Sequence, residues 1–150
     1  MKALHLALVA LGGSLLGAAT PCVAGNPVAT SSITVVVSQL ASTESAVKLY
    51  FYNLRESFLQ PKQYAFVKVV RPGGQDRITL PVDLANGDWA VAITQDTNNN
   101  DRLDKNMMGI PTEPFAFSNN VRPRFAPPDF DDCKFTVSGP GKVVSIVLKP

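Results

Sequence analysis

Between Ser31 and Leu148 the chain is written in short stretches of alternating apolar and polar residues, each closed by a turn signal. A period of two places alternate side chains on opposite faces of a strand. Ile33, Val35 and Val37 alternate with Thr34, Val36 and Ser38 and predict a first strand with one wholly apolar face. After a small-residue connection from Leu40 to Ala46, Val47, Leu49 and Phe51 oppose Lys48, Tyr50 and Tyr52, a second strand with an amphipathic outer face. Arg55 to Pro61 has room for one helical turn. Tyr64 to Val70 is rich in aromatic and β-branched residues and ends at Pro72-Gly73-Gly74, and Arg77 to Val82 turns Ile78, Leu80 and Val82 inward. The Asn86-Gly87 turn leads into Trp89 to Gln95, where Trp89, Val91 and Ile93 share a face and mark a central strand. Cys133 to Val137, a Gly139-Pro140-Gly141 turn, and Val144, Ile146 and Leu148 predict a C-terminal hairpin. The pattern describes an all-β protein: a seven-stranded antiparallel β-sandwich with a long decorated loop and no helix that buries a face.

That loop begins after Asp104, where alternation disappears for nearly thirty residues containing five prolines. Segments of this length inside a compact domain are functional or disordered. Disorder would leave Phe115, Phe117, Phe125 and Phe130 in water, so two arrangements remain. The four rings form a satellite cluster that closes one end of the sandwich, or they line a ligand groove.

The N-terminus lies outside this scheme. Met1-Lys2 is a short basic start, Ala3 to Gly17 carries no Asp, Glu, Lys or Arg, and Cys22-Val23-Ala24 offers small residues where a signal peptidase cuts. Residues 1–24 therefore read as a signal peptide and 25–150 as one exported domain, periplasmic or extracellular. The apolar run is too short to span a membrane. Pro21 before Cys22 argues against lipidation, and cleavage after Ala24 would leave Cys133 as a lone, buried thiol; cleavage after Ala19 would keep both cysteines and allow them to pair. Without Lys2, 13 of the 14 basic residues remain against 12 acidic ones, a net charge of +1. No basic run marks a nucleic-acid surface.

Chemistry is densest from Asp96 to Asp104. Asp96, Asn98, Asn100 and Asp104 stand at relative positions 1, 3, 5 and 9, the spacing by which a tight loop turns oxygens around a hard cation such as Ca²⁺. The carbonyl of Arg102 falls at position 7. Position 12 is Met107 where an EF-hand has Glu, which excludes that motif and leaves Glu113 as the nearest unused carboxylate. The competing reading is a polar turn, because Asn and Asp hydrogen-bond their own backbone without a metal.

The run of Asp96-x-Asn98-x-Asn100-x-x-Leu103-Asp104, Gly109-Ile110-Pro111-x-Glu113, Phe117-Ser118-Asn119-Asn120 and Pro127-Pro128-x-Phe130 resembles a family of exported bacterial proteins known only as domain of unknown function 2141. The resemblance covers Ile33 to Leu148. It implies a sandwich of the transthyretin-like or carboxypeptidase-regulatory kind, with Asn86 to Val91 resembling the strand G-x-Y-x-V of those domains, and it implies no activity. Two glycines of the family pattern are replaced, by Asp101 after the second Asn of the loop and by Ala116 between the aromatics. Asp tolerates a positive φ at modest cost.

The only His is His5, inside the signal segment, so the mature chain holds no Ser-His-Asp triad and no His-containing zinc site. What chemistry remains is carboxylate chemistry, for instance Asp104 and Glu113 flanking a glycoside. The expectation is a non-enzymatic, monomeric module, calcium-stabilised, that binds a glycan or peptide of the cell envelope. The alternative is an accessory domain that docks on a partner protein. Exposed aromatics beside the loop favour the first and buried ones the second.

Overall fold

The computed structural model describes residues 28–109 and 111–148. The expected signal peptide, residues 1–24, and with it Cys22, lie outside the described residues. Two sheets pack face to face. The first has the order β4 (Arg77–Ala85), β1 (Thr30–Ser38), β8 (Val143–Val147); the second runs β3 (Phe66–Val70), β2 (Val47–Tyr52), β5 (Gly87–Gln95), β6 (Phe115–Phe117), with β7 (Phe135–Val137) also on β5. Alternation placed the inner faces correctly. Ile33, Val35 and Val37 meet Val47, Leu49 and Phe51 in the core between the sheets, all 1% exposed or less. Burying each such side chain is worth about 1.5–3 kcal/mol. Trp89 joins them from β5, its ring near Phe66 and its Nε1–H donating to the Ala85 carbonyl at 2.8 Å. Pro81 sits on edge strand β4, exposed, where its missing N–H costs least.

Several expectations need correction. The described residues hold eight strands rather than seven, because Phe115–Phe117 is a strand too short to show a period. A single helical turn, α1 (Phe130–Cys133), follows it, closed by a capping box between Asp129 and Asp132. The predicted C-terminal hairpin does not form. β7 pairs with β5 in one sheet while β8 runs parallel to β1 in the other. Gly141, at φ +82°, ties the intervening turn to β1 through its N–H and the Ser32 carbonyl. Periodicity reports which face of a strand is buried, and both β7 and β8 are buried on alternate residues; it does not report the partner. Asn86-Gly87 leads into β5 as its turn signal indicates, and carries the chain from one sheet to the other.

A further correction concerns the outer face of the β2–β5 sheet, which the alternation left to solvent. Tyr52, Phe58, Ala90, Ala92, Phe117, Phe130 and Cys133 form a second buried cluster there. The aromatic segment does make a satellite cluster, but it covers a face of the sheet rather than an end of the sandwich.

Ser118-Asn119-Asn120 holds that cover in place. β6 and β7 share one edge of β5 and leave a gap between them. Ser118, fully buried, fills it: its Oγ accepts the Val91 N–H at 2.9 Å and donates to the Cys133 carbonyl at 2.5 Å. Asn119 donates to the carbonyls of Asp132 and Lys134. Asn120 accepts the Val147 N–H at 2.7 Å and donates to the Ser145 carbonyl at 3.1 Å, the pair of bonds a neighbouring strand would make on β8. Both Asn residues have positive φ, 59° and 55°, which Asn tolerates better than most. Side chains thus stand in for backbone at three places, and an open sheet edge is covered.

Candidate functional site

β5 ends by delivering two buried polar residues. Gln95, fully buried, pins the β1–β2 connection by accepting from the N–H groups of Ala41 and Ser42 and donating to the carbonyls of Ser42 and Ser45. Asp96, 2% exposed, begins the acidic loop. Its carboxylate accepts the N–H groups of Asn100 at 3.0 Å and Asp101 at 2.8 Å, and the Lys48 ammonium lies 3.4 Å away. Burial works to raise the Asp96 pKa. The two N–H groups and Lys48 outweigh it and hold the carboxyl below its ordinary value. Burial works against the Lys48 charge in turn, but Asp101, at 3.1 Å, and Asp96 raise its pKa above the usual one.

The loop does gather the residues that its spacing singled out. Asn98 and Asn100 aim their amide N–H groups at one Asp104 oxygen, at 2.6 and 2.9 Å, while their own oxygens accept the N–H groups of Asn100 and Arg102. Glu113, nearly buried, reaches back and accepts from Thr97 at 3.0 Å and Asp104 at 3.4 Å. Asp101 has φ +62°, the conformation for which the family pattern has glycine. Most of the ring's oxygens therefore face protein N–H groups. No three carboxylate, thiol or imidazole groups converge on a point among the described residues. Glu113 and Arg122 also flank a depression of about 340 Å³, and no second carboxylate lines it. Asp104 and Glu113 thus do not face each other across it.

A larger groove, of about 540 Å³, crosses the outer face of the second sheet. Its floor is Tyr50 and Tyr52 of β2, Ala92 of β5 and Phe115 and Phe117 of β6; one wall runs from Leu59 to Tyr64, and the other is built from the long segment between Leu103 and Pro127. Tyr50 and Tyr64 lie 5.3 Å apart between ring centroids, and Phe115 meets Phe117 edge-on. Phe125, at 100% exposure, and Met108, at 79%, stand at its rim. The hydroxyls of Tyr50, Tyr52 and Tyr64 have no hydrogen-bond partner among the described residues. Burial, with the neighbouring Tyr50 and Tyr64, pushes the Tyr52 phenol up to about 12, so it stays neutral and able to donate.

Of the four phenylalanines expected at a groove, Phe115, Phe117 and Phe125 line it. Phe130 does not: it is buried 5.8 Å from Phe58, between ring centroids, and belongs to the cluster beneath. Sequence reasoning missed Tyr50, Tyr64, Lys62, Lys105 and Arg124. The outward phase of Tyr50 on β2 was a signal for the first; for the other four there was none, because irregular segments carry them.

A family model described as "Uncharacterized protein conserved in bacteria (DUF2141)" matches residues 35–145. No curated protein and no solved structure matches the chain.

Proposed function

Because the chain belongs to DUF2141, a bacterial family with no assigned activity, its function has to be read from its own surface, and we propose that it is an exported, non-enzymatic binding module. Its ligand, a peptide or glycan of the cell envelope, lies in the groove across β2, β5 and β6. The observation that carries this reading is the exposure of Phe125 and Met108 beside Tyr50, Tyr64 and Phe115. Large apolar side chains left in water around a concave surface mark ligand sites. The volume lies within the ~300–1,000 Å³ usual for such sites. The neighbouring Asp96–Asp104 loop is in this reading a support for the groove's long wall, with Ca²⁺ as a weak ligand.

The peptide reading is the stronger of the two. Sugar hydroxyls need acceptors, and beside tyrosine hydroxyls the groove's side chains offer only Gln60 and Thr94. Titration of ¹⁵N-labelled protein with envelope-derived peptides and with peptidoglycan oligosaccharides tests it. Shifts should gather at Tyr50, Tyr64 and Phe115 and weaken in Phe125→Ala. Shifts on the β4–β1–β8 sheet instead would assign the binding face elsewhere and favour a docking domain.

A further inference from the structure

Resting on that reading of the groove, we propose that its occupant is an acidic peptide segment, one in which carboxylates alternate with aliphatic or aromatic side chains. The argument is charge. None of the 12 Asp and Glu residues lines the groove, whereas Lys62 stands on one wall and Lys105 and Arg124 on the other. None of these three cations forms an ion pair among the described residues. Elsewhere Lys48 meets Asp96 and Asp101, Arg55 meets Asp131, and Lys134 meets Asp88 and Asp131, while Lys68, Arg71, Arg77, Arg102, Arg122 and Lys142 also form no ion pair among the described residues. What distinguishes the groove is three cations in one concavity with no carboxylate in its lining. A chain of nearly balanced charge thus keeps a groove of one sign. Such a concavity, with a low-dielectric floor, draws anions and repels cationic partners.

The rest of the lining fixes the other half of the ligand. Tyr50, Phe115 and Phe117 give an aromatic floor to alternate side chains of an extended peptide, and Met108 supplies an adaptable edge. The hydroxyls of Tyr50, Tyr52 and Tyr64, unpartnered among the described residues, can donate to carbonyls or to a carboxylate. A concave groove between two walls suits a segment of chain better than a membrane surface.

Two pools of capped hexapeptides test this. Three positions are randomised over leucine, valine, phenylalanine and tyrosine, and the other three are glutamate in one pool and glutamine in the second. Amide shifts of ¹⁵N-labelled protein are followed at low and high salt. The glutamate pool should move Tyr50, Tyr64, Phe115 and Arg124 and bind about fivefold tighter at low salt, the upper size of one exposed ionic contact. The gap should close near 0.5 M salt and vanish in the double variant Lys105→Gln, Arg124→Gln. Equal binding of both pools would overturn the acidic preference and leave the groove as a ligand site. If neither pool moves the groove, the site itself is wrong. Shifts of the same amides by a uronic-acid oligosaccharide or by phosphatidylglycerol vesicles, without the peptides, would overturn the peptide as occupant.

Discussion

The Asp96–Asp104 loop and the groove lie on neighbouring parts of the molecule, and they handle their polar groups in opposite ways. In the loop the oxygens of Asp96, Asn98 and Asn100 and one oxygen of Asp104 already accept N–H groups, and Lys48 neutralises two of its carboxylates. In the groove three hydroxyls and three cations find no hydrogen-bond or ion-pair partner among the described residues, and a phenylalanine is exposed. Density of reactive residue types therefore points to the loop, whereas unmet bonding capacity points to the groove. Buried polar groups that satisfy one another rigidify a fold, and groups without partners are available to a ligand.

The strongest perturbation should come from the core beneath both regions. Trp89→Ala removes the largest inner side chain and its hydrogen bond to Ala85, and should cost about 3–5 kcal/mol in denaturant unfolding. A cost under about 1 kcal/mol would mean that the outer cluster, not the inner one, sustains the fold. Asp96→Ala comes next. It leaves two loop N–H groups without their acceptor and removes one of the two carboxylates beside Lys48, a loss of about 2–3 kcal/mol, while ligand shifts in the folded protein persist. Loss of binding at unchanged stability would move the functional site to the loop.

Alkaline unfolding probes the cluster under the groove. Burial raises the Cys133 thiol to about 12 from an ordinary 9.0, and the Tyr52 phenol to about 12 from 10.0. Both groups keep their protons longer in the folded chain than in the unfolded one. Their contribution is fully present below pH 9 and declines as pH rises from about 9 to 12, at up to about 1.4 kcal/mol per pH unit per group. Cys133→Ala should flatten the first part of that decline. An unchanged slope would show that the thiol reaches water in the native state.

Phe125→Ala separates the regions most cleanly. A ring wholly in solvent contributes little to folding, so stability should change by less than about 0.5 kcal/mol. As a rim aromatic it should matter for binding, with about a tenfold loss, near 1.4 kcal/mol. Unchanged affinity would leave Phe125 an idle exposed residue and weaken the case for the groove.

What could be read from the residues follows the same division. Inner faces of β1, β2, β4 and β5 were legible because a two-residue period between large apolar side chains is a direct consequence of pleating. The outer cluster was not, since Tyr50 and Tyr52 look amphipathic on β2 and the residues that cover them arrive from 58 to 133 without a period. Phe117-Ser118-Asn119-Asn120 was noticed as a motif, but its work of replacing backbone partners on β5 and β8 depends on tertiary neighbours. Cys133 was expected buried, and it is. The groove's cations sit on irregular segments where sequence spacing has no geometric meaning.

The smallest expected effect is that of calcium on the loop. Asn98 and Asn100 turn N–H groups toward Asp104; half a turn about each amide would present oxygens to a cation there instead. That change forfeits the bonds their oxygens accept from the N–H groups of Asn100 and Arg102, and Lys48 already competes for Asp96. Affinity should accordingly sit at the weak end of the extracellular range, a dissociation constant near ~10⁻³ M. At about 5 mM Ca²⁺ the linkage term is then about 1 kcal/mol, a rise of a few degrees in Tm. Asp104→Ala, which leaves the Asp96 contacts in place, should abolish the rise, and Mg²⁺ should reproduce little of it because it demands a compact octahedral shell. A melt in Ca²⁺ that overlays the melt in chelator would reduce the loop to a self-satisfied polar turn and make the contrast with the groove complete.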